Sequence, residues 1–244
     1  MQARTSPRSH SATFDIYSLR NGVLCDHTES QFPSIVRSWT DGRLDLSTEG
    51  THFGYVQSGV AELSCESGEF RLGAGMYFSA PMSARISGNS SGFVVSRLGF
   101  VGLFQIGGKI ESKGRLNYID GSTDTLLIAP VLKGDPCLNL LYFPPGIDQT
   151  PHTHPSLRAG IIAAGQGFCR TEREVIPMRA GSVFIIHPEQ IHSFITEDSE
   201  MKIIAYHPDS DFGATHEDHP MINRTIVNGL RASEIKAIRT GVNA

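Results

Sequence analysis

Gly146-Ile-Asp-Gln-Thr-Pro-His152-Thr-His154-Pro-Ser-Leu-Arg158, followed after Gly165 and Gly167 by Gly181-Ser-Val-Phe-Ile-Ile-His187-Pro188-Glu-Gln-Ile-His192, is the stretch around which the chain is organised. Two histidines separated by one residue on a strand share a face, because strand side chains alternate with a period of two. A third histidine arrives from a second apolar run, Val183 to Ile186, which ends in a Pro-containing turn. Three imidazoles converging from two strands make a metal site. The expected ligands are His152, His154 and His192.

The spacing resembles the two motifs of the cupin superfamily. Gly146, His152, His154 and Gly165 fall in register with the first motif, and Gly181 and His192 with the second. One position departs: where cupins usually carry a metal-ligating glutamate, this chain has Arg158, whose guanidinium stays protonated and has no lone pair to give. The resemblance implies an all-β fold of jelly-roll-like barrels, which limit open sheet edges. It also implies ligand strands lining the interior near one mouth.

The glycines repeat at a fixed offset. Gly59 and Gly165, Gly75 and Gly181, Gly54 and Gly160, and Phe78 and Phe184 are each 106 residues apart. Such self-similarity points to two copies of one unit: two tandem cupin barrels, a bicupin. At the same offset, His152, His154 and His192 correspond to Leu46, Thr48 and Ile86, and Arg158 to His52. The first copy is therefore expected to be metal-free and structural, or adapted to another role. His52 reads as a hydrogen-bonded or exposed histidine.

Composition agrees with this class. Gly (25) and Pro (13) exceed one residue in seven of 244, and the apolar runs are short, which favours many turns and strands over helices. A net charge of −4 without a basic run argues against nucleic acid. No apolar stretch approaches the ~20 residues of a membrane span, and the polar start does not support a secretory signal. Cys25, Cys65, Cys137 and Cys169 lack paired spacing and read as cytosolic thiols, so a cytoplasmic protein is expected. The expected organisation is a disordered stretch over 1–11, a degenerate first cupin over 12–106, a linker over 107–120, a metal-binding cupin over 121–229 and a short C-terminal helix over 230–244. The charged segment after His207, with His216 and His219, reads as a surface or lid loop rather than a second metal site.

Three imidazoles suit Fe(II), Zn, Ni, Mn or Cu and leave coordination positions open. A site without a carboxylate keeps the full charge of the metal and favours an anionic substrate. Arg158 lies an even number of residues from both motif histidines. By alternation it faces inward and forks a carboxylate or enolate; if the strand bends after Pro155 it turns to solvent or to a structural acid. His187, beside the turn proline, reads as a rim histidine or a contact behind the ligands. Three-histidine cupins include gentisate and cysteine dioxygenases. The gentisate enzymes are bicupins with a Leu-Arg-containing stretch after His-x-His, loosely similar to Leu157-Arg158. The expected function is a non-haem Fe(II) dioxygenase on a small anionic organic substrate, with Arg158 orienting it; a homodimer is the expected assembly. The alternatives are an O₂-independent isomerase, lyase or decarboxylase, and a non-enzymatic small-molecule binder.

Overall fold

The structure is a computed structural model that describes residues 14–46, 49–215 and 219–238. Residues 1–11, Thr48 and His216, on which expectations were placed above, lie outside the described residues. The described chain is built almost wholly of strands, in two nine-stranded sheets and one short hairpin.

Each large sheet is centred on one long strand. In the first, Thr51–Cys65 lies between Tyr77–Pro81 and Ser90–Arg97; in the second, Arg158–Thr171 lies between Ser182–Ile186 and Met201–His207. The 106-residue offset survives in the pairing. Gly54 lies opposite Phe78 and Gly160 opposite Phe184. In each half the ring fills the space that a side chain on the glycine would need: a Cβ on Gly54 would stand 2.2 Å from the Phe78 ring, and one on Gly160 2.6 Å from the Phe184 ring. The turn bonds repeat as well, with Gly75 N–H on Val56 O at 2.9 Å and Gly181 N–H on Ile162 O at 2.8 Å.

Alternation sends successive side chains to different cores. In Cys137–Phe143, Leu138 and Leu140 join an apolar cluster shared by both halves, whereas Leu141 and Phe143 join the cluster inside the second half. Phe53 and Tyr55 meet Ile161, Ile204 and Tyr206 in the shared cluster, and Phe53 packs on Tyr206 with ring centroids 5.5 Å apart. A strand buried on both faces reads as a nearly continuous apolar run, which is how these segments read in sequence.

One edge strand is placed where local sequence does not put it. Phe14–Ser18 pairs with Ser182–Ile186, and so belongs to the sheet of the second half. The boundary expected at residue 12 assigned it to the first. Gln105–Gly107 takes the equivalent edge of the first sheet, beside Tyr77–Pro81. Ile16 faces Phe184 as Ile106 faces Phe78.

The expected C-terminal helix is also corrected. Among the described residues the segment forms a two-residue strand, Leu230–Arg231, and two 3₁₀ turns, Ala232–Glu234 and Lys236–Ile238. Ile235 between them is extended at φ −102, ψ 94, and Ala232 is the only buried residue in the two turns. A helix this short, without an apolar face against the core, has nothing to offset its nucleation cost.

All four cysteines are free. No helix among the described residues is long and apolar enough to cross a membrane.

Candidate metal centre

The first motif is not a continuous strand, as the sequence reading assumed. Residues 149–157 are irregular and tied to His192–Ile195 by single bridges, Asp148 opposite Ile195 and His152 opposite His192. His152 and His192 exchange both backbone hydrogen bonds, each at 3.0 Å. That pairing brings the two rings to 4.5 Å, and His154 lies 5.1 Å from each. One ligand-type atom from each of the three histidines lies within 4.8 Å of the others, so the group could hold a metal ion.

Backbone carbonyls fix two of the ring tautomers. His152 Nδ1 lies 2.8 Å from Thr150 O and His192 Nδ1 3.0 Å from Gln190 O. A carbonyl can only accept, so each Nδ1 carries a proton, and in the neutral ring it is Nε2 that presents a lone pair. Nε2 of His192 is buried and has no hydrogen-bond partner. Buried polar atoms are normally satisfied, and an imidazole lone pair left over among two other imidazoles fits a metal cation.

Burial reinforces this state. Desolvation, then Arg158 and the other two rings, push the pKa of His154 down to about 3. Desolvation chiefly holds His192 at about 4, against the Gln190 hydrogen bond. Neutral rings are the form that ligates.

A small recess opens beside the rings, lined by Tyr118, Leu141, Phe143, Gln149, Phe184 and Phe194 among others. Arg158 lines it too and is 9% exposed. Arg158 thus reaches the recess and is also paired with an acid, Asp209, at 3.0 Å.

His207 also lines the recess, its ring 6.3 Å from that of His154. Burial, Arg158 and His154 hold its pKa well below the usual imidazole value. Sequence reading took it as the start of a loop. The signal was available, since His207 continues the alternation of Met201, Ile203 and Ala205, all buried. Ser156 and Asp209, which hold Arg158, carried no sequence signal.

His187 lies away from the rings, its Nε2 3.0 Å from Asp15 Oδ2 and its ring 5.1 Å from that of His27. In the first half, Leu46 and Ile86 are packed in an apolar core. His52, at the position of Arg158, is buried with Nδ1 2.8 Å from Ser96 Oγ.

A family model described as the AraC-like ligand binding domain matches residues 144–238, which include all three histidines. No curated protein sequence matches the chain. Among solved structures, the chain is similar to a cupin 2 conserved barrel domain protein from Leptotrichia buccalis, with 14% identity, 83% of this chain and 91% of that one covered, and a TM-score of 0.56. It is similar to a putative glyoxylate-induced protein from Pseudomonas aeruginosa, with 13% identity, 85% of each chain covered and a TM-score of 0.58. It is also similar to a salicylate 1,2-dioxygenase from Pseudaminobacter salicylatoxidans, with 8% identity, 72% of this chain and 70% of that one covered, and a TM-score of 0.54. At these identities the likeness is one of fold: the chain has a cupin fold.

Proposed function

We propose that the chain is a bicupin whose second half is a metal-dependent enzyme, a non-haem Fe(II) dioxygenase acting on a small anionic organic molecule. The observation that carries this is the triad of imidazoles with the buried, unpartnered Nε2 of His192. His152, His154 and His192 would hold the metal. When bound, Fe(II) supplies Lewis acidity and the capacity to activate O₂. Zn in the same ligands would supply the first alone.

The remaining work falls to the chain's own residues. Phe143, Phe184 and Phe194 wall the recess with apolar surface that excludes water. Arg158 offers a cation to the substrate's negative group. The Gln149 carbonyl accepts from Phe194 N–H at 3.2 Å, which leaves its amide N–H₂ as a neutral donor beside the rings. The fold shared with a salicylate dioxygenase supports a small acid as substrate. Leu46 and Ile86, which stand at the positions of two of the ligands and pack in an apolar core, support a first half that serves as a metal-free structural partner. Free cysteines suit a reducing, cytoplasmic compartment, and a homodimer is the proposed assembly.

The test is metal analysis of protein purified without added metal, followed by anaerobic reconstitution with Fe(II) and an O₂-uptake screen over catechols, aromatic hydroxy acids, thiols and β-diketones. Uptake with a stoichiometric product supports the proposal. Turnover under argon with Mn, Ni or Zn would move it to an O₂-independent isomerase, lyase or decarboxylase. Tight zinc with no turnover on any substrate would overturn it.

A second reading has its own support. The match to a ligand-binding domain falls on the half that carries the histidines, which favours a non-enzymatic binder of a small molecule. Ligand affinity that survives His192→Ala, with no turnover in the wild type, would decide for it.

A further inference from the structure

The guanidinium of Arg158 is held by one corner. Its Nη1 lies 2.5 Å from Ser156 Oγ, 3.0 Å from Leu157 O, 3.0 Å from Asp209 Oδ1 and 3.4 Å from Ser156 O. The Ser156 hydroxyl accepts from Nη1 and in turn donates to Asp209 Oδ1 at 2.5 Å, which closes a three-membered ring of contacts. Nε is buried and has no partner, and no acceptor among the described residues bonds Nη2. A guanidinium has two edges able to grip a carboxylate in a fork, the Nη1/Nη2 end and the Nε/Nη2 side. Four acceptors already occupy Nη1, so the side edge is the one left.

Asp209 belongs to the segment after Met201–His207, and that segment is itself fastened. Lys133 N–H reaches Ala214 O at 2.9 Å and Gly134 N–H reaches Ser210 O at 2.8 Å. The carboxylate is thus carried by a braced loop, on the far side of Arg158 from the recess: Arg158 lines the recess and Asp209 does not.

We propose that Asp209, with Ser156, is a positioning and specificity residue: it pins Nη1 so that Arg158 presents its Nε/Nη2 edge to a single ligand carboxylate, and its charge selects monoanions over dianions. This rests on the reading that the recess beside the three histidines takes a small anion. The selectivity follows from charge. The carboxylate cancels the guanidinium charge at close range, so a ligand meets a directed donor edge rather than a net cation. A second negative group on the ligand then finds no net positive charge to offset its own desolvation, whereas without the Asp209 charge it would be drawn to an unopposed cation through a weakly screened, buried setting.

The test uses three probes of one shape: benzoate as monoanion, phthalate as dianion and benzamide as neutral isostere. Affinities are measured by calorimetry at neutral pH on metal-free and metal-loaded protein. Wild type should bind benzoate in preference to benzamide. Asp209→Asn, which keeps the shape and removes the charge, should lower the benzoate-to-phthalate affinity ratio by about tenfold or more. The steric difference between the two acids cancels in the comparison of variants. Ser156→Ala keeps both charges, so it should weaken both acids several-fold and leave their ratio as in wild type. If Asp209→Asn fails to fold, unchanged benzoate affinity in Ser156→Ala overturns the proposal. An unchanged ratio in folded Asp209→Asn overturns it, as does failure of wild type to bind benzoate over benzamide. The outcomes separate from the enzyme reading. A charge-dependent switch in protein that holds no metal supports the subsite and sinks the metalloenzyme; metal retention with O₂ uptake and no switch sinks the subsite alone.

Discussion

Gln57 donates its side-chain amide to Ala163 O at 3.1 Å, and the two residues are separated by 106 positions, the length of the repeat. The contact joins the two halves beside the apolar cluster that holds Phe53, Tyr55, Ile161 and Tyr206, against which Ala163 packs. The hydrogen bond contributes little beside that cluster. Gln57→Ala should cost about 1 kcal/mol or less, eased further because the Gln57 Oε1 is itself buried without a partner. Phe53→Ala, which empties a site 2% exposed, should cost about 3–5 kcal/mol. Chemical denaturation of the two variants checks the ranking, and a larger loss from Gln57→Ala would contradict the account.

Gly160→Ala is expected to be costly, since its Cβ would meet both the Phe184 ring and Ile204 O at 2.6 Å. Overpacking of this kind costs about 1–3 kcal/mol. Shortening the ring partner in the double variant Gly160→Ala/Phe184→Leu should return part of the loss. The Ile204 carbonyl remains in the way, so recovery should be incomplete. Thermal denaturation of both variants measures it.

Protein stripped of metal should lose stability as it is acidified from neutrality. The folded pKa of His192 lies at about 4, below the value of 6.5 for a free side chain. Between those values the unfolded chain binds the proton and the folded chain does not, so stability is full above about pH 6.5 and falls as pH drops toward 4. His192 alone accounts for ~3 kcal/mol across that window, and His154, depressed to about 3, extends the loss to lower pH. Denaturant midpoints across the pH range check the slope; a flat profile would contradict it.

Removal of a ligand should separate the three histidines from the fourth. His154→Ala and His192→Ala should each abolish stoichiometric metal retention after dialysis. His207→Leu should leave it in place, because the ligating group contains His152, His154 and His192 and not His207. Equal loss in all three variants would make His207 a ligand.

Much of the architecture was readable from glycines. Gly54 and Gly160 mark the same close approach to a phenylalanine in both halves, and Gly59 and Gly165 share the left-handed φ of 73. Such positions admit few other residues, so their spacing carries the repeat even where surrounding residues have diverged. The three histidines were legible for the same reason: short-range spacing places them. What escaped was set at long range. Nothing local in Phe14–Ser18 says which half it will join, since an amphipathic strand fits any free edge of suitable register. Asp209 finds Arg158 only because its loop is stitched to residues 132–135, and Arg158 reaches the recess despite the bend that made its direction ambiguous.

The placement of Phe14–Ser18 has a consequence for biogenesis. On the ribosome this segment emerges some 170 residues before its neighbour, Ser182–Ile186. Until then it is an unsatisfied edge beside a half-made molecule, open to mispairing. A protein interrupted at residue 107 would carry a strand it cannot use, and a C-terminal fragment begun at residue 121 would present a bare margin along Ser182–Ile186. The two halves can be recognised separately, but the sheet of the second is completed only by Phe14–Ser18, a strand that precedes the first.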